Sequence, residues 1–363
     1  MANVELIRPL FWALGLSLAA CAAVILPTAV QADEPPPQAE PHALHEHPTF
    51  GQIRGFDSRF DRLIPKDAKL EKLAEGFVWS EGPVWIRDGG YLLFSDIPRN
   101  RIMKWHADKL SVFLEPSGYF EMKEKPRGGE TGSNALITDA QGRIVMCQHG
   151  ARRIARLEKD GTQTVLADRY RGKRLNSPND LIYKSNGDLY FTDPPYGLEK
   201  NWDDPARELD FCGLFRLSAD GKLEVMTKEL ARPNGLCFSP DEKTLYVANS
   251  DPNNPVWMAY PVEADGTLGK GRVFFDTTPW VKQNQPGLPD GMKADRDGNL
   301  FATGPGGLHV FSPDGTHLGV VDTGERTSNC NWGDDGSTLY ITVHMYLARI
   351  KTTTKGNPGG PKK

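Results

Sequence analysis

The sequence predicts an all-β protein, a six-bladed β-propeller of four-stranded antiparallel blades closed by an N-terminal strand, and three observations carry that prediction. First, a turn-led hydrophobic strand recurs six times, as GGYLLFSD, QGRIVMCQ, NGDLYFTD, EKTLYVAN, DGNLFATG and GSTLYITV. Second, each copy is followed by another strand (RIMKW, RIARLE, LFRLS, VWMAYP, LHVFS, LARIK), and most then pass a turn such as KDG, ADG or PDG into a further one (SVFLE, TVLAD, LEVMT, RVFFD, GVVDT). Third, 37 Gly and 28 Pro in 363 residues mark a chain punctuated by many turns. Similar units of about 40–55 residues, each a small antiparallel sheet, cannot bury both faces alone and do so by packing radially.

In chain order, the first segment has one Arg, an apolar run from about Pro9 to Val30, and small residues ending Val30-Gln31-Ala32 before Asp33-Glu34. That is the layout of an export signal over residues 1–32, and it places the mature protein in the periplasm or outside the cell with no stable membrane insertion after cleavage. The length of the run also fits an uncleaved anchor, and Leu18-Ala19-Ala20-Cys21 fits a lipoprotein site. Residues 33–50, beginning DEPPPQAEPHALHEH, form a linker that cannot bury enough apolar surface to fold alone. The propeller is expected over residues 51–352 and a flexible tail over 353–363.

Each unit is preceded by an innermost strand: EGPVWI, NALITD, NDLIYK, NGLCFS, DGMKAD and NCNWGD. The sixth unit stops after its third strand, LARIK, so residues around Leu70 to Ala74 are expected to supply the missing outer strand and close the ring. The remaining four cysteines, Cys147, Cys212, Cys237 and Cys330, are far apart in sequence, with no CxxC, and read as buried free thiols. A net charge of -4 with no basic, aromatic-rich patch sets nucleic acid aside as a partner. There is no Gly-x-Ser-x-Gly elbow and no phosphate loop, and the glycines of GPGGL lie between strands, which excludes a dinucleotide site.

Innermost strands begin at one mouth of the central channel. The residues that open them are Glu81, Asn134, Asn179, Asn234, Asp290 and Asn329, and all six carry a side-chain oxygen. Gly-Pro, Gly-Leu and Gly-Met steps follow three of them and indicate close backbone packing round a narrow axis. Two carboxylates among neutral carbonyl oxygens make a site for a hard cation, Ca²⁺ before Mg²⁺, with Zn²⁺ able to exchange in. His149 and His344 hold equivalent positions after the second strands of two units and could pass protons at this mouth. Tyr196, from the same position of a third unit, and Arg153 are candidates for substrate contact.

The segments EGPVW, LNSPNDLIYKSNGDLYFTDPPYGL, RPNGLCFSPDEKTLYVANSD and LPDGMKADRDGNLFATGPGGLHVFSPDG resemble the gluconolactonase/regucalcin family of six-bladed propellers, in the family's order and from about Lys69 to Lys351. The resemblance implies that the metal is held by Glu81, Asn179, Asn234 and Asp290, leaving Asn134 and Asn329 for substrate or supporting contacts. It also implies Ca²⁺-dependent hydrolysis of a sugar lactone, with Asp290 assisting water attack or acting as a ligand only. The alternatives are a metal-dependent phosphotriesterase or aryl esterase, and a non-catalytic, Ca²⁺-stabilised propeller that binds a ligand. The identity of the lactone is expected to reside in the loops over residues 117–133, 197–212 and 277–288, and the oligomeric state stays open.

Overall fold

The computed structural model describes residues 46–120 and 129–361. The expected signal, Cys21 and residues 33–45 of the expected linker lie outside them. Six sheets form the blades of a propeller, each with its strands in the order of a meander. The innermost strands are Ser80–Ile86, Ser133–Thr138, Leu181–Tyr183, Pro233–Phe238, Met292–Ala294 and Thr327–Gly333. Beside them run the second strands, Tyr91–Asp96, Ile144–Gln148, Leu189–Asp193, Thr244–Asp251, Leu300–Gly304 and Thr338–Val343.

The apolar runs in the second strands follow from the radial packing. Successive side chains point to opposite faces of a sheet, and both faces of a blade meet a neighbour. In blade 1, Leu92 and Phe94 pack toward blade 6, while Leu93 packs toward blade 2. Among the described residues there are six apolar clusters, and each fills one gap between consecutive blades. The four described cysteines are buried and free.

Closure matches the expectation and goes one strand further. Glu71–Glu75 pairs antiparallel with Tyr346–Lys351 and completes blade 6. Gln52–Gly55 pairs with His317–Asp322, adding a fifth strand to blade 5 that the sequence reading did not anticipate. The ends of the propeller are tied in beyond the boundaries drawn from sequence. Lys72 N–H donates to Pro48 O and Phe50 N–H to Leu70 O. Thr353 N–H donates to Leu63 O, and Asn357 N–H to Ala294 O.

At the channel mouth, hydroxyls stitch blade 1 to 2, 3 to 4, 5 to 6 and 6 to 1. Ser95 Oγ donates to Asn134 O, Thr192 Oγ1 to Asn234 O, Thr303 Oγ1 to Ser328 O, and Ser328 Oγ to Ser80 O, all at 2.7–2.9 Å. The glycines after the ring residues allow that approach. A Cβ on Gly82 would lie 2.4 Å from Asn134 O, and one on Gly235 would lie 2.3 Å from Asp290 O. Gly82 also has φ +56, a conformation that side chains rarely adopt. Small residues thus bring the six innermost strands within reach of one another.

Candidate metal and catalytic centre

A cavity of about 330 Å³ opens at this mouth. Glu81, Asn134, Asn179, Asn234 and Asp290 line it, together with Trp79, Glu130, Tyr196, Ser250, Leu288 and Arg326. Five of the six predicted ring residues therefore share one space. The sixth, Asn329, is buried beneath it: its Nδ2 donates to Glu81 Oε2 at 3.1 Å, with Asp180 Oδ2 at 3.5 Å.

Local backbone geometry aims the ring residues inward. Register shifts interrupt the pairing at Glu81/Val84, Pro233/Leu236 and Thr327/Asn329, so the chain bulges where the ring side chains leave it. Neighbours then fix several of these side chains. Glu81 Oε2 accepts from Gly82 N–H at 2.5 Å. Asn234 Nδ2 donates to Ser250 Oγ at 2.9 Å, which leaves its Oδ1 for the cavity. Asp290 is held through its backbone, with N–H donating to Thr303 O, while its Oδ1 is buried and has no hydrogen-bond partner among the described residues.

The electrostatics are those of crowded carboxylates. Burial, and next the charge of Asp180, push Glu81 up to about 8. Asp290 is held well above the ordinary carboxylate range by burial and then by Glu81, Asp180 and Glu130. Burial alone raises Glu130 to about 7. Below them sits Lys293: burial pulls its ammonium down, but Asp180 foremost among its anionic neighbours leaves it raised overall. Among the described residues no three His, Cys, Asp or Glu side chains form a metal-holding cluster. The donors here are two carboxylates and two amide carbonyls, a set suited to a hard cation.

Other predicted site residues lie at different depths. Tyr196 lines the cavity, its phenol raised by burial and by Asp290. His149 is fully buried behind Asn134, not facing the cavity, and burial lowers its imidazole to about 3. His344 sits at the rim, its ring 5.4 Å from that of Trp79 and its Nδ1 3.7 Å from Glu325. Arg153 is not at the cavity. It opens the third strand of blade 2, where its Nε donates to Gln148 Oε1 at 2.6 Å and its guanidinium covers Phe120.

Of the lining residues, Leu288 and Glu130 fall in the loops over residues 277–288 and 117–133 expected to set specificity, whereas Trp79 and Thr327 were not anticipated. Trp79 and Thr327 each lie two positions before a ring residue, Glu81 and Asn329, so proximity to the ring in sequence was the signal.

Residues 79–345 match the family described as the SMP-30/Gluconolactonase/LRE-like region. A gluconolactonase from Zymomonas mobilis is 41% identical over 314 residues, covering 85% of this chain and 88% of that protein. A pentonolactonase from Haloferax volcanii is 30% identical over 277 residues, covering 72% of this chain and 80% of its own length. Among solved structures, a gluconolactonase from Xanthomonas campestris superposes with a TM-score of 0.72 at 33% identity, covering 86% of this chain and 99% of that one. With the family match spanning all six innermost strands and every residue that lines the cavity, this chain belongs to the SMP-30/gluconolactonase/LRE-like family, and it folds as a six-bladed propeller.

Proposed function

We propose that the chain is a gluconolactonase-like carboxylic ester hydrolase that acts on a sugar lactone and uses a divalent cation, Ca²⁺, held by Glu81, Asn179, Asn234 and Asp290. One observation carries the reading: these four oxygen-bearing side chains line a single cavity in which Asp290 Oδ1 is buried with no hydrogen-bond partner among the described residues. A buried, unpaired carboxylate oxygen is costly, and a cation among these donors removes that cost. The likeness to proteins named gluconolactonase and pentonolactonase supports the substrate class.

When bound, the cation polarises the lactone carbonyl and stabilises the negative charge that grows on its oxygen. The chain's own residues supply the rest. Glu81, fixed by Gly82 N–H and Asn329, and Asn234, fixed by Ser250, present preset oxygens that need no reorganisation. Asp290 takes the proton of the attacking water as its oxygen bonds to the carbonyl carbon. The ring C–O ester bond breaks, the ring oxygen takes up a proton, and one water is consumed in forming the hydroxy acid. Trp79, Tyr196 and Leu288 give the cavity apolar walls that limit competing water.

Asp290→Asn and Glu81→Gln should each lower the turnover of glucono-δ-lactone by about a hundredfold or more, and chelation of the wild type should abolish it until Ca²⁺ is returned. Full activity in both variants would sink the reading. We further propose that the protein works in the periplasm or outside the cell, on the layout of residues 1–32. Amino-terminal sequencing of the cell-expressed protein should begin at Asp33, and an intact Met1 would refute export with cleavage.

A further inference from the structure

One wall of the cavity is built by the segment leading into blade 2, from which Glu130 and Asn134 face the space. Behind them lies His149, completely buried, with Nε2 3.2 Å from Asn134 Nδ2 and Nδ1 3.6 Å from Glu130 Oε2. A neutral imidazole has one donor and one acceptor, and an amide nitrogen only donates. Nε2 therefore accepts from Asn134, and the ring proton sits on Nδ1, facing the Glu130 carboxylate. The other tautomer would aim the Nδ1 lone pair at that carboxylate and require the Asn134 amide to be reversed, so the charge on Glu130 selects the first arrangement. The Glu130 backbone also interacts with the ring as a hydrogen-bond acceptor, which favours the same tautomer. With Nδ2 committed to His149, Asn134 keeps Oδ1 with no hydrogen-bond partner among the described residues, and the Glu130 side chain is 33% exposed in the same wall.

We infer that Glu130 and Asn134 form a polyol-recognition wall, two hydrogen-bond acceptors that take the O–H donors of neighbouring hydroxyls on a sugar lactone, with His149 as the positioning residue that keeps the Asn134 amide in its accepting orientation. The inference rests on the lactonase reading above and narrows it. Alkyl lactones and phosphotriesters offer no donors to this wall, and a site built to bond a hydroxyl rejects an analogue lacking it because its own polar groups stay unpaired. His149 has no contact with the reacting atoms in this scheme, which replaces the proton-shuttle role expected from sequence.

The test compares D-glucono-δ-lactone with δ-valerolactone, which has the same ring without hydroxyls, at pH 8, above the value of about 7 to which burial raises Glu130, with spontaneous hydrolysis subtracted. Wild type should favour the hydroxylated lactone. In Glu130→Ala the ratio of the two kcat/KM values should fall by about tenfold or more, mainly through KM for the hydroxylated substrate. His149→Phe should do the same, and His149→Gln, whose amide oxygen can accept from Asn134, should restore most of the ratio. If His149→Phe does not fold, Glu130→Ala, altered in a partly exposed wall, decides alone. An unchanged ratio in Glu130→Ala, or equal loss of kcat on both lactones, overturns the inference. Wild-type turnover of both lactones without preference overturns it too and leaves the lactonase reading standing, whereas no wild-type turnover of either lactone removes both.

Discussion

At the scale of single residues, the ring of oxygens was legible because each member opens an innermost strand and three precede a glycine, a pattern that repeats with the blades. Depth was not legible. His149 and Arg153 hold loop positions that sequence spacing assigns to the mouth, yet one is tucked behind Asn134 and the other bonds Gln148 on the blade itself. Spacing fixes which end of a strand a residue occupies, and packing decides how far in it lies. The carboxylates themselves yield a prediction for the metal-free protein. Glu81 and Glu130, ordinarily near 4.5, are raised by burial to about 8 and about 7. Between pH 4.5 and 8 the folded state keeps protons that the unfolded state has lost, so stability is greatest at the acid end of this window and declines as pH rises through it. Chelated protein should therefore melt at a lower temperature at pH 8 than at pH 5, and the gain in Tm on adding Ca²⁺ should be larger at pH 8. Thermal melts at both pH values check this, and a Ca²⁺ gain that is larger at pH 5 would contradict it.

At the scale of elements, the second strands were the easiest to read, since runs such as LLF and LYV are apolar on both faces and sit between two blades. The strand Glu71–Glu75 was expected because the sixth unit lacked an outer strand. Gln52–Gly55 gave no such signal: blade 5 already has four strands, and QIRG is short and mostly exposed, so neither periodicity nor a vacancy pointed to it. Its anchorage comes from the adjoining stretch of chain, in which Phe60 and Ile64 enter the cluster between blades 5 and 6. The bulges at Glu81, Pro233 and Thr327 were equally silent, because a register shift is a property of two paired strands and not of either sequence.

At the scale of the whole molecule, the ring is held shut by one chain segment that serves two blades. Residues 48–75 lay Gln52–Gly55 on blade 5, send Phe60, Leu63, Ile64 and Leu70 into the adjoining core, and end as the outer strand of blade 6. Without that segment, blade 6 would expose the edge of Tyr346–Lys351, and the cluster between blades 6 and 1 would lose Leu73. A chain starting at Phe77 should melt about 10 °C or more below the chain starting at Asp33, or aggregate through the open edge. Among the described residues, a chain starting at Pro48 loses the contact of His47 with Trp105 and Asp108, and it should melt with the longer form. The cavity tests the same closure from the other side of the ring. Ser328 Oγ of blade 6 bonds Ser80 O of blade 1 beside Glu81, so loosening the seam between these blades should also weaken Ca²⁺ binding measured by calorimetry. Equal melting temperatures and equal Ca²⁺ affinity for the two truncated chains would show that the ring does not depend on its amino-terminal clasp.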